Sequence, residues 1–281
     1  PELATWIQDH VSFPGTMVDR LVPAATEESL AEIAHELGVA DPCAISCEPF
    51  IQWVIEDNFV CGRPQWETAG VQMVENVLPW EQMKLRMLNG SHSFLAYLGY
   101  LAGFQHISDC MQDSAFREAA YRLMLNEQAP TLQITDVDLD QYALSLLERF
   151  ANPALKHKTW QIAMDGSQKL PQRMLEGIRV HLARQSEWPL LALGVAGWMR
   201  YVSGVDDSGT AIDVRDPLSE KIAALVKQST ESERVNALLS LREIFATDLV
   251  QNPQCFAAIQ QAWQRIAQYG AHQAVIETLK S

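Results

Sequence analysis

From Val71 almost to Leu279 the sequence repeats one pattern, apolar residues three and four apart, interrupted by Pro130, Pro153, Pro189 and Pro217. That spacing is the period of a helix that buries one face, and proline ends helices by removing a donor and clashing with the preceding turn. The pattern predicts helices over 71–77, 80–104, 114–127, 138–150, 154–163, 170–184, 188–201, 217–228, 231–245 and 253–279. The strand–helix alternation of a parallel sheet is missing, as is any Gly-x-Gly-x-x-Gly turn. The chain reads as mainly α, a multi-helical domain with a minor β element.

That minor element lies early. Residues 12–23 are bounded by prolines and read as a loop or short extended segment. Thr26 followed by Glu27 and Glu28 predicts a helix start, Leu30, Ile33, Ala34 and Leu37 its apolar face, and Gly38 its stop. Between Cys43 and Phe59, alternating Ile51, Trp53 and Ile55 predict one or two strands. The chain starts at Pro1 in what already reads as helix, so we expect a fragment of a longer protein.

Charge and composition narrow the function. With 21 basic and 35 acidic residues the net charge is −14, the wrong sign for a nucleic-acid binder. No apolar run approaches the ~20 residues of a membrane span, and no leader pattern is present. The five cysteines, at 43, 47, 61, 110 and 255, form no disulfide framework, and Cys43/Cys47 lack the second pair a zinc site needs. We therefore expect a soluble, cytoplasmic protein without a metal.

Chemistry concentrates in residues 80–103. On a regular helical wheel Lys84, Leu88, His92, Leu95 and Gly99 fall within about 80° of one another, with Asn89 at the border. A lysine, an asparagine and a histidine on an apolar face are costly without partners or a task. A desolvated lysine loses basicity and suits a general base. The plain alternative is that Lys84 reaches out to water along its stem while His92 is a satisfied core residue. Likewise Asp57 reads as a pocket carboxylate or a turn cap, and Lys169 and Arg173 as an anion-binding pair or surface cations.

Four separated motifs carry a family resemblance. Lys84-Leu-Arg-Met-Leu-Asn-Gly-Ser-His92 is similar to the catalytic helix of the mannitol dehydrogenase family, the polyol-specific long-chain dehydrogenases. Phe13-Pro-Gly-Thr-Met-Val-Asp-Arg-Leu-Val-Pro23 resembles its signature segment. Glu48-Pro-Phe-Ile-Gln-Trp-Val-Ile-Glu-Asp-Asn-Phe59 and Asp165-Gly-Ser-Gln-Lys-Leu-Pro-Gln-Arg173 also match. The likeness is strongest to those members that interconvert D-mannonate and D-fructuronate.

The resemblance implies a two-domain NAD-dependent dehydrogenase acting on a CH–OH group. Residues 1–24 would end the interdomain connection, and 25–281 would form the helical catalytic domain, of the 6-phosphogluconate-dehydrogenase C-terminal type. NAD would be bound mainly by an N-terminal domain absent from this chain, leaving the isolated chain inactive. By the same resemblance Lys84 is the general base, Asn89 polarises the reacting oxygen, and His92 fixes a neighbouring hydroxyl. Asp57, Lys169 and Arg173 would contact substrate, with a cation after Asp165 reading a carboxylate. Thr16, Asp19 and Arg20 would lie near the cofactor, the last two as a structural ion pair. Gly15 and Gln161 stand where mannitol-oxidising members carry an asparagine and an arginine. The expected partners are a small sugar acid and the protein's own N-terminal domain, in a monomer that binds neither nucleic acid nor membrane. A tagaturonate-type acid, a hexitol, or a non-enzymatic helical interaction module are the alternatives.

Overall fold

The computed structural model describes residues 2–280. They group into two compact units, one ending at Lys84 and one beginning at Leu85.

The first unit runs α1 (Glu2–His10), β1 (Thr16–Asp19), α2 (Glu27–Leu37), β2 (Gln52–Glu56), β3 (Gln72–Val74) and α3 (Leu78–Met83). β1 pairs antiparallel with β2, placing Thr16 opposite Ile55, and β3 pairs parallel on its other side, with Val54 opposite Gln72. The α2 start is built as the sequence implies. The Thr26 hydroxyl accepts the Ser29 N–H, the Ser29 hydroxyl accepts the Thr26 N–H, and Gly38 ends the helix at φ 69°. A small core of Met17, Val54 and Val77, with Val74 and Trp80 against it, holds the sheet.

Two expectations change here. The segment 71–77 contains a strand, not a helix. Its apolar spacing suits both periods, and pairing with β2 decides for the β-branched residues. The window 43–59 contains one strand, within the one or two expected. The ladder also ties residues 16–19 to 72–74, so residues 25–84 group with the first 24 instead of with the helices beyond.

A π turn, Lys84–Gly90, starts on the last residue of the first unit and runs directly into α4 (Ser91–Leu101) of the second. Then come α5 (Ile107–Gln112), α6 (Ser114–Arg122), α7 (Leu139–Phe150), α8 (Thr159–Ala163), α9 (Gly166–Leu170), α10 (Glu176–Arg184) and α11 (Pro189–Val202). The last four are α12 (Ser219–Gln228), α13 (Arg234–Leu239), α14 (Thr247–Val250) and α15 (Pro253–Leu279). The stretch expected as one helix over 231–245 is thus only partly helical, and α5 lay outside every expected helix.

α11 packs against α4 and α15, and α4 also against α8. Gly197 permits the α11–α4 approach, since a Cβ there would stand 2.8 Å from Leu98 Cδ2. No side chain caps the start of α4. Phe94, Leu95 and Leu98 are fully buried, and burial of each contributes about 1.5–3 kcal/mol. Packing, not capping, therefore holds the helix that follows Asn89 and carries His92 in its first turn. α15 breaks at Gly270 (φ 76°, ψ 164°), where the Asp207 carboxylate accepts the Ala271 N–H at 2.6 Å.

Candidate active site

Asn89 lies in the π turn Lys84–Gly90, and His92 two residues beyond it. The regular wheel used to place Lys84, Asn89 and His92 therefore does not carry through this turn, whose hydrogen bonds skip five residues. Two further π turns, Leu123–Gln128 and Pro171–Leu175, meet it. Gln128 Nε2 donates to the Arg173 carbonyl at 3.1 Å, and a Cβ on Gly90 would come within 2.8 Å of both groups. Only glycine fits where the three turns converge.

His92 is 6% exposed. Its ring stacks on Phe150 with centroids 4.9 Å apart and lies 5.1 Å from the His157 ring. Burial holds its pKa well below the ordinary histidine range, and Coulomb interactions with His157, Arg173, Lys169 and Arg149 push the same way. His92 is thus a neutral imidazole at physiological pH. Its Nε2 has no hydrogen-bond partner among the described residues, and neither does Asn89 Oδ1.

Two cations complete this region. Lys169 sits on α9, at a position outside every expected helix. Its ammonium donates to the carbonyls of Met164 at 2.5 Å and Ile162 at 3.2 Å. Burial lowers its pKa and Arg173 adds repulsion, while Asp165 and Asp216 favour the charge. Arg173 lies in the π turn after Pro171, so the regular i, i+4 relation to Lys169 is lost. Its Nη1 donates to Ser93 Oγ at 2.9 Å and, more weakly, to the Asn89 carbonyl at 3.4 Å. Arg173 Nε, Ser167 Oγ and Trp198 Nε1 are buried without partners among the described residues.

The turn before Lys169 is fixed by backbone. Asp165 adopts φ 57° and donates its N–H to the Arg215 carbonyl at 3.0 Å. The Asp216 carboxylate accepts the Ser167 N–H at 2.8 Å and the Leu218 N–H at 2.9 Å. Gly166 is enclosed, for a Cβ would stand 2.4 Å from Trp198 Nε1 and 2.8 Å from the Tyr97 hydroxyl.

In the first unit, Lys84 Nζ donates to the Val18 carbonyl of β1. The Thr16 hydroxyl donates to the Val54 carbonyl at 3.1 Å and accepts from Trp53 Nε1 at 2.8 Å. Asp19 is fully buried, and Arg20 Nε donates to the Glu48 carbonyl at 3.0 Å. Asp57 is gripped by the Arg63 guanidinium at 2.7 and 2.8 Å, which holds its carboxyl below the usual range. The Glu56 carboxylate accepts the N–H groups of Gly15 at 2.9 Å and Val77 at 3.1 Å. A Cβ on Gly15 would meet Val77 Cγ1 at 2.7 Å, so an asparagine has no room there unless Val77 shifts. The described residues of this unit hold no glycine-rich cradle for a dinucleotide pyrophosphate.

The sequence model of the mannitol dehydrogenase C-terminal domain matches residues 76–267, and that of the mannitol dehydrogenase Rossmann domain matches residues 1–68. The chain belongs to the mannitol dehydrogenase family.

Among its relatives, the uncharacterized oxidoreductase YeiQ of Escherichia coli K12 is 76% identical over 280 residues, covering the whole chain and 57% of YeiQ. The D-mannonate oxidoreductase of the same organism is 58% identical over 276 residues, covering 98% of this chain and 57% of that protein. A solved structure, the Pseudomonas fluorescens mannitol 2-dehydrogenase ternary complex with NAD and D-mannitol, superposes with a TM-score of 0.92 at 36% identity. It is matched by all of this chain over 57% of its own length. The chain thus spans a little over half the length of its relatives.

For this mannitol dehydrogenase family member, sequence reasoning missed Ser93, Ser167 and Trp198, along with His157 and Arg149. Ser167 was inside a quoted motif, but nothing in the spacing separates the other four from core or surface residues. The surface hollows of about 580, 420 and 400 Å³, lined in turn by residues such as Trp263, Val226 and Trp188, include none of the site residues. Among the described residues no group of three or more His, Cys, Asp or Glu could hold a metal ion. No helix among them is long and apolar enough to cross a membrane.

Proposed function

We propose that this chain carries the substrate-binding and proton-handling part of an NAD-dependent oxidoreductase that interconverts D-mannonate and D-fructuronate. The observation that carries this reading is a charge inversion. A chain of net charge −14 gathers Arg149, His157, Lys169 and Arg173 around one buried neutral histidine. A carboxylate suits this basic surrounding, and Arg173, whose Nε is buried without a partner among the described residues, has donors left for one, whereas a hexitol brings no charge. The identity with a D-mannonate oxidoreductase, 58% against 38% with Mannitol dehydrogenase 2 of Saccharomyces cerevisiae, points the same way.

Lys84 takes the proton of the substrate hydroxyl being oxidised and returns it in the reverse direction. The Asn89 amide N–H donates to that oxygen as it becomes a carbonyl, a role worth most in a site closed to water. His92, kept neutral by burial, holds an adjacent hydroxyl without adding another positive charge. NAD, when bound mainly by residues outside this chain, supplies the hydride acceptor.

The test uses an enzyme of the full length of its relatives, with NADH and a panel of D-fructuronate, D-tagaturonate and D-fructose. We expect fructuronate to give the highest kcat/KM. On fructuronate, Lys84→Ala is expected to lower kcat by about 10²–10⁴ with the fold intact by circular dichroism. Preference for fructose would sink the sugar-acid reading, and preference for tagaturonate would move it to that pair. A loss below about tenfold would reduce Lys84 to a binding residue.

A further inference from the structure

We infer that Arg173, and not Lys169, reads the carboxylate of the substrate, so that discrimination between an acid and an uncharged polyol rests on one guanidinium. This depends on the sugar-acid reading above.

The two cations differ in what they have left to give. An ammonium has three donors, and Lys169 directs two contacts to the Ile162 and Met164 carbonyls. Its charge is also answered by Asp165 and Asp216. Lys169 is already committed to holding the end of α8 against α9.

Arg173 presents five donors in a planar fork. Its Nη1 is occupied by the Ser93 hydroxyl and the Asn89 carbonyl, while Nε is buried and unpartnered. No carboxylate pairs with it among the described residues. Arg63, Arg122, Arg179, Arg200 and Arg215 each hold an aspartate or glutamate, and the buried Arg86 is met by the Thr131 carbonyl and hydroxyl, whereas Arg173 keeps a buried Nε with neither kind of partner among the described residues. A buried charge without a counter-ion is costly, and a bidentate carboxylate is the group that fits the open edge of a guanidinium. The contact from Nη1 to the Asn89 carbonyl places this fork beside the residue assigned to the reacting oxygen. One end of a short acid can then be held while a carbon further along is oxidised.

The test compares two ligands of one carbon skeleton that differ in the carboxylate, D-mannonate and D-mannitol. Binding to the full-length enzyme is titrated for the parent, Arg173→Met, Arg173→Lys and Lys169→Met. A charge-assisted hydrogen-bonded contact implies that Arg173→Met weakens mannonate binding by about 10- to 150-fold. Mannitol binding should change less than about threefold. Arg173→Lys should recover part of the mannonate loss, because it keeps the charge and loses the fork. Lys169→Met should affect both ligands alike. Equal losses on both ligands for Arg173→Met, or a mannonate-selective loss for Lys169→Met, would overturn the assignment. If Arg173→Met does not fold, Arg173→Lys decides by the same criterion of selective against equal loss. A parent enzyme that binds mannonate no better than mannitol would instead refute the sugar-acid reading.

Discussion

Thr16 and Asn89 are both short polar side chains in segments that the family motifs mark as functional, and they are used in opposite ways. The Thr16 hydroxyl donates once and accepts once, between β1 and β2. Glu56, Asp57 and Arg20, in the same unit, are likewise tied to backbone or to a counter-ion. In the second unit, Asn89 Oδ1, His92 Nε2, Ser167 Oγ, Arg173 Nε and Trp198 Nε1 are all shielded from solvent without a partner among the described residues. Each such atom costs about 1–3 kcal/mol of stability. A fold retains that cost where a ligand removes it, so the second unit is where substrate recognition is to be sought. The polar groups named from the first unit hold its sheet and turns, with Gln52 Oε1 its buried side-chain atom left without a partner among the described residues.

The largest expected effect tests this difference directly. Asn89→Ala should lower kcat by about 10²–10³, the loss usual for one oxyanion donor. Its melting temperature should hold or rise, because an unsatisfied buried acceptor is removed. Thr16→Val should do the reverse for stability and lower the melting temperature, since both of its hydrogen bonds are lost. Parallel stability losses in the two variants, measured by thermal melting, would erase the distinction.

How far the sequence reveals this depends on whether a feature is local. The α2 caps, the long helices and the breaks at proline follow from residues a few positions apart, and they are visible in the chain alone. The π turns are not. Nothing in Lys84–Gly90 distinguishes a π turn from a regular helix, and the choice depends on Gly90 meeting Gln128 and Arg173 from two distant segments. The helical reading of 71–77 failed for the same reason, because pairing with β2 is a contact across about twenty residues. Motifs single out Asn89, His92, Lys169 and Arg173. Which of those atoms are spent and which are open is a property of packing. His157 and Phe150 against His92 could not be anticipated from spacing.

A second test concerns a buried polar group in the helical unit that is fully partnered. Glu127, 3% exposed, accepts the N–H groups of Leu190 at 2.8 Å and Leu191 at 2.7 Å in the first turn of α11. Burial pushes its pKa up to about 7, against the pull of those two donors. A carboxyl with a folded pKa raised above its unfolded value of 4.5 retains its proton longer in the folded state. Its contribution is complete below pH 4.5 and is lost as pH rises through about 7, by about 3 kcal/mol at most. The stability of the parent relative to Glu127→Gln should therefore fall between pH 5 and pH 8. A difference that stays flat across that range would show that Glu127 is ionised throughout.

The smallest expected effect falls on a residue that the family resemblance assigns to substrate. Asp57 directs both carboxylate oxygens to Arg63, and Arg63 in turn reaches Glu67 at 2.7 Å and the Pro64 carbonyl at 3.0 Å. The Asp57 side chain is about half exposed, whereas that of Arg63 is 16% exposed, so the pair anchors the arginine to the turn after β2. An oxygen already accepting from a guanidinium has little left to offer a substrate hydroxyl. Asp57→Asn keeps one acceptor toward Arg63 and leaves Glu67 as counter-ion, so kcat/KM for fructuronate should stay within about twofold of the parent. A tenfold loss without a change in melting temperature would mean that Asp57 leaves Arg63 to touch substrate. The first unit would then share in recognition, and the division drawn from Thr16 and Asn89 would fail at this residue.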